Sequence, residues 1–234
     1  MSLIAAALAW LSDPDHWIGR ASIPLRILQH LEVTAGVVAL AALIALPLGV
    51  AIGHTGRFRL LITAISGAAR AIPTLGVLTL AGLWLGIGLG APFLALLVLA
   101  VPPMLSATCA GVESADRRAV DAARAIGLTG WQSVLQVELP AATRLVLGGL
   151  RSTTLQVVAT ATLAAYTADA GLGRYLYIGL KTRDYGQMIA GAILVVALAL
   201  VLDAAWALIA RLLETKGPFG ARPDAQTEQE GERR

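Results

Sequence analysis

The sequence predicts an all-α protein that crosses a lipid bilayer several times, and two observations carry that prediction. Only 14% of its 234 residues are charged and 57% are hydrophobic, whereas a soluble domain carries about 25% charged residues. The charges are also gathered into short segments between long apolar runs, the pattern of membrane spans joined by polar loops. A net charge of +3 and a pI near 9.4 could signal nucleic acid in a soluble protein. In an apolar chain a basic bias on one membrane face accounts for them, so the bilayer is the expected partner and nucleic acid is not.

The segment 1–30 opens with about ten apolar residues, too few to span. It lacks the basic start and small-residue cleavage site of a signal peptide, and it reads as an interfacial N-terminal segment. The first span is Leu31–Gly53, with Pro47 accommodated by neighbouring helices. His54–Arg59 follows as a short basic loop. Residues 60–111 hold a single charge, Arg70, and are too long for one helix. The glycines of Gly86–Pro92 supply a turn, giving spans over 61–85 and 91–111. Residues 112–142 form the one long loop dense in charge. A fourth span covers Thr143–Tyr166 and a fifth Tyr185–Leu212, so the membrane domain extends over 31–213. The remaining tail, 214–234, is polar, charged and reads as disordered.

Five spans put the termini on opposite sides. With the N-terminus outside, thirteen of the eighteen Lys and Arg residues fall inside and five outside, the orientation that basic residues favour. The long charged loop and the C-terminus are then cytoplasmic. The 166–185 connection, with three basic residues outside, runs against this bias. Small residues four apart, at Gly49/Gly53, Gly82/Gly86 and Gly86/Gly90, predict close helix approach.

Within the long loop, residues 114–140 read SADRRAVDAARAIGLTGWQSVLQVELP. Ser114 is placed to cap a first helix, with Asp116 in its opening turn and Gly127 at its stop. Thr129 and Gln132 have the spacing of a capping box for a second helix, which Pro140 is expected to end. Val120, Ala123 and Gly127 make a narrow apolar stripe flanked by Arg117, Asp121 and Arg124. Periodicity alone fits equally a knob that docks into another protein and an amphipathic hairpin lying on the membrane surface.

The spacing separates these readings. Asp121-Ala122-Ala123, three residues, Gly127, nine residues, then Val137-x-Leu139-Pro140 resembles the EAA motif of ABC-importer permeases, E-A-A-x3-G-x9-I-x-L-P, with Asp for Glu and Val for Ile. Arg70–Leu78, Val101–Met104, Gly149–Thr154, Val157–Ala165 and Ala170–Gly173 resemble the osmoprotectant branch of that family. Tyr166–Asp169 departs from the smaller, Gly-rich stretch usual there. The resemblance implies a type I permease fold with five core helices and a cytoplasmic coupling helix at Asp121–Pro140. It implies half of a pathway for glycine betaine, choline, carnitine or proline. Implied partners are ABC ATPase subunits, a second copy or sister permease, and a separate extracytoplasmic binding protein. ATP and magnesium are expected on the ATPase and no cofactor on this chain, which has no phosphate-binding G-x-x-x-x-G-K-[ST] segment. A permease for methionine or phosphonate is the alternative, and a secondary transporter a more distant one.

Ionisable groups inside spans need partners. Arg151 and Asp203 lie at matching depths, about 12 and 13 Å from the inner ends of their spans at 1.5 Å per residue, and are expected to pair, as a structural tie or as a gate. Trp84 and Tyr166 fall at the outer surface, as membrane anchors or as cation–π partners of a quaternary ammonium; with Asp169 they mark the candidate outer mouth. Cys109 reads as inert packing, and His16, His30 and His54 lack metal-ligand spacing.

Overall fold

A computed structural model describes residues 2–214, and every regular element among them is helical. The order is α1 (Leu3–Ser12), a 3-10 turn (Pro14–Trp17), α2 (Ile23–Thr55), α3 (Arg59–Ala71), α4 (Thr74–Leu85), α5 (Gly90–Glu113), α6 (Arg117–Ala125), α7 (Gly130–Ser133), a π turn (Val134–Glu138), α8 (Leu139–Thr160), a 3-10 segment (Ala161–Tyr166), α9 (Gly173–Thr182) and α10 (Tyr185–Glu214). Among the described residues α2, α5 and α10 are each long and apolar enough to cross a membrane. The tail expected to be disordered lies almost wholly outside the described residues.

The core is the contact of α2 with α5 and of α5 with α8. Buried residues of α2, from Ile23 through His30, Val37, Ala41, Ala45 and Gly49, recur every three or four positions and so form one stripe. Gly49 and Gly53 lie directly on α5: a Cβ would stand 2.6 Å from Thr108 Cβ at the first and 2.7 Å from Val112 Cβ at the second. Gly82, Gly86 and Gly90 have no such neighbour; Gly86 instead takes φ +77° in the α4–α5 turn, a backbone state open to glycine. Pro103 deprives the Leu99 carbonyl of its usual N–H donor one turn on. The amide of Gln156 on α8 donates to that oxygen at 3.4 Å, so a neighbouring helix satisfies what the proline leaves open.

Four expectations are corrected. The span over 61–85 is broken into α3 and α4, which meet at 88°. Pro73 explains the break, because the residue before a proline is pushed out of the helical region, and Ile72 has ψ 124°. α2 begins at Ile23, inside the segment expected to be interfacial; its 33 residues make about 50 Å of helix, more than the roughly 30 Å hydrocarbon core requires. The fourth span is α8, which ends at Thr160 where a 3-10 segment takes over; it is less apolar than α2, α5 and α10, since it carries Arg144, Arg151 and the run Ser152–Thr154. Pro140 does not end a helix. α7, the π turn and α8 run on without a gap, and Leu139 N–H bonds to Val134 O, one residue beyond α spacing. That slip opens the turn just ahead of the proline, and so accommodates its ring and missing N–H within a continuous helix.

Candidate coupling hairpin and outer mouth

α6 begins at an N-cap, but Asp116 fills it rather than Ser114: its carboxylate accepts from Arg118 N–H at 2.9 Å, while Ser114 donates back to Gly111 O at the end of α5. At the far end Gly127 N–H bonds to Arg124 O and Leu128 N–H to Ala123 O, the paired bonds of a Schellman stop, with Gly127 at φ +93°. Thr129 and Gln132 make the reciprocal capping box that opens α7. The two helices are therefore set by local chemistry and joined by a four-residue turn, 126–129.

The faces of this hairpin differ from the stripe expected. Ala123 is buried, and Val120 is half-buried and lines a cavity. The apolar groups presented outward are Ile126, 80% exposed, and Trp131, 67% exposed. The stripe failed because it assumed a lone helix, whereas α6 folds back on α7 and the π turn and covers Ala123. Asp121, Ala122 and Gly127 are exposed, Val137 and Leu139 are half-buried within the α7–α8 unit, and Pro140 is exposed.

A pair far apart in sequence ties this hairpin to the bundle. His54, in the last turn of α2, donates from Nδ1 to both carboxylate oxygens of Glu138 at 2.9 Å; a carboxylate only accepts, so Nδ1 carries the proton. Glu138 is 4% exposed and also receives the Ser133 hydroxyl at 3.4 Å. Arg59 of α3 meets Glu113 of α5 at 3.2 Å beside them. These groups, with Arg117, Asp121 and Arg124, line a cavity of about 640 Å3 between the hairpin and the ends of α2 and α5. The sequence places His54 in a basic loop without metal-ligand spacing and does not link it to Glu138; the one available signal was a lone carboxylate in the apolar run VLQVELP.

Within the bundle, Arg151 Nε and Nη2 donate to Asp203 at 2.6 and 2.7 Å, a bidentate pair joining α8 to α10. Trp206 Nε1 adds a bond to Thr154 Oγ1 at 3.1 Å.

At the opposite end, Asp169 accepts from Arg26 Nη2 at 2.9 Å and pairs with Arg174 Nε at 2.8 Å. Arg26 is 5% exposed and also holds the Asp169 carbonyl and Gln29. Lys181 stands over the Tyr177 ring at 4.6 Å, which in turn meets Tyr166 edge-on. Two of the three basic residues that ran against the charge bias thus have structural partners there. His30 is buried and bridges this end: it accepts from Leu172 N–H at Nδ1, which leaves Nε2–H to donate to Val158 O at 2.9 Å. Asp169 lines a second cavity; Trp84 and Tyr166 do not, standing 79% and 61% exposed.

A bundle of long apolar helices with small-residue contacts, a bidentate ion pair between two of them and a capped hairpin at one end has the character of a polytopic membrane protein. The chain belongs to the family described as binding-protein-dependent transport system inner membrane component, which it matches over residues 38–215, and is a multi-pass inner-membrane transport permease. It is 30% identical over 194 residues to the glycine betaine/carnitine/choline transport system permease protein OpuCB of Bacillus subtilis, covering 83% of this chain and 89% of that one. It is 34% identical over 202 residues to the osmoprotectant import permease protein OsmW of Salmonella typhimurium, covering 83% and 91%. The fold is similar to that of the MetNI methionine ABC transporter in an inward-facing conformation, with a TM-score of 0.72 at 24% identity over 86% of this chain and 99% of that one. An amino acid ABC transporter gives a TM-score of 0.62 at 20% identity, over 81% and 91%. The type I importer permease fold follows.

Proposed function

We propose that this chain is one half of the pathway of an ATP-driven importer for compatible solutes of the quaternary ammonium or proline type. The solute class is supported by the names of relatives aligned over most of the chain, a glycine betaine/carnitine/choline permease and an osmoprotectant permease. The observation that carries the coupling role is the unbroken run from the capped hairpin through the π turn into α8. A force applied at Trp131 has a helical path to Arg151 and, through Asp203, to α10, and Ile126 joins that path across the 126–129 turn. An ATPase subunit, binding and hydrolysing ATP with magnesium, docks on the 114–140 hairpin. A second copy or sister permease completes the pathway, and an extracytoplasmic binding protein delivers the solute. The N-terminus lies outside and the C-terminus in the cytoplasm, with α1 at the outer interface.

Reconstitution in proteoliposomes with the cognate ATPase and binding protein tests the reading. ATP-dependent uptake of at least one of glycine betaine, carnitine, choline or proline is the expected result. Uptake of methionine alone would move the chain to the alternative solute class, and uptake without the ATPase would sink the coupling role.

A further inference from the structure

The second cavity, at the end of the bundle away from the hairpin, encloses about 640 Å3 between α2, the α4–α5 turn and residues 167–170, within the range of about 300–1,000 Å3 typical of small-molecule sites. The turn is held to the 167–170 wall by Gly88 N–H to Thr167 O at 2.9 Å and by the Thr167 hydroxyl back to Gly88 O. Glu32 and Phe93 both line the cavity. Glu32 and Gly36 are one helical turn apart and share a face of α2. A Cβ at Gly36 would stand 3.0 Å from Phe93 Cε2, so the ring rests on bare backbone one turn from the carboxylate. A Cβ at 36 would push the ring away by a few tenths of an ångström.

The charged side chains lining this cavity are both acidic, and they differ in what they meet. Asp169 is matched by Arg26 and Arg174. Glu32 is exposed and has no hydrogen bond or ion pair among the described residues. It lies about 35 Å from the other end of α2 at 1.5 Å per residue, and among the described residues it is the one charge on this cavity that no protein group matches. A quaternary ammonium donates no hydrogen bond; what holds it is a negative charge and the face of an aromatic ring. Glu32 and Phe93 offer those two groups on adjoining walls.

We infer that Glu32 and Phe93 form a transit site that receives the trimethylammonium group of the solute after its release from the binding protein. This rests on the osmoprotectant reading above. Glu32 acts mainly on solutes with a net positive charge, and Phe93 on any quaternary ammonium.

The test is competitive uptake of choline, glycine betaine and proline by the complete reconstituted transporter. Glu32→Gln is expected to lower the choline-to-glycine betaine uptake ratio about tenfold, because only choline is a net cation, with partial return in Glu32→Asp. Phe93→Leu is expected to lower both quaternary solutes about fivefold relative to proline, with Phe93→Tyr near wild type. Unchanged ratios, or an equal fall for all three solutes, would overturn the site while leaving the solute class standing. Failure of Glu32→Gln to co-purify with its partner subunits would also overturn it, by assigning Glu32 to a contact between permeases. If the wild-type assembly imports none of the three, the solute class falls and the site with it.

Discussion

The hairpin end of the bundle and its opposite end are held together on different length scales. Inside the hairpin the decisive bonds are local: Asp116 to Arg118, Thr129 to Gln132, Gly127 to Arg124. At the opposite end, the proposed outer mouth, they join residues 142 or 143 positions apart, Gln29 to Gly171 and Arg26 to Asp169. The difference suits the tasks proposed. A docking element must keep its own shape while the bundle rocks, so its bonds close within it. A mouth that opens must join separate helices, so its bonds run between them. The exception is His54–Glu138, 84 positions apart, where the hairpin is fastened to the bundle.

The contrast can be broken most directly at the exposed hairpin face. Ile126→Asp combined with Trp131→Asp should weaken retention of the ATPase about a hundredfold, since well-packed aromatic and aliphatic anchors carry most interface energy. The variant should remain folded, because neither side chain is buried in this chain. Undiminished co-purification and uptake would remove the hairpin from the docking surface.

Next in size is the proposed outer mouth. Arg26→Met removes charged hydrogen bonds to Gln29 and to the Asp169 carboxylate and carbonyl, and should cost about 3 kcal/mol of stability in detergent. A larger loss in a hairpin cap variant than in Arg26→Met would reverse the ordering of the two ends. His54→Ala should cost about 2 kcal/mol, because it leaves the Glu138 carboxylate buried with only the Ser133 hydroxyl. A double-mutant cycle with Glu138→Gln should return a coupling energy above about 1 kcal/mol. Additive effects would mean that the hairpin is not fastened through this pair.

The smallest effect expected is Gly127→Ala, about 1 kcal/mol. A Cβ there meets nothing within 4 Å, so the cost is that of φ +93° alone. Uptake should fall little, because the caps on either side persist. A complete loss of coupling in this variant would point instead to direct contact of Gly127 with the ATPase.

The amino-acid sequence by itself determined the bilayer as solvent, the apolar stretches, the capping box at Thr129 and the Gly127 stop. These depend on composition or on bonds between neighbours three or four residues apart, which a linear reading captures. It also brought Arg151 to Asp203, because a charge in a span needs a partner and few were available at that depth. The break at Ile72–Pro73 was legible in principle from the constraint before proline, but an apolar run of spanning length overrode it. Only the tertiary structure decided which side of α6 faces outward, that Pro140 rides on a π turn instead of ending a helix, and that Glu138 meets His54. It alone joined Arg26 to Asp169 and set Phe93 beside Glu32. Each of these depends on which helices lie side by side, and helix pairing in a membrane is chosen by close packing of small residues and by satisfied polar groups across the bundle, information that no local window contains.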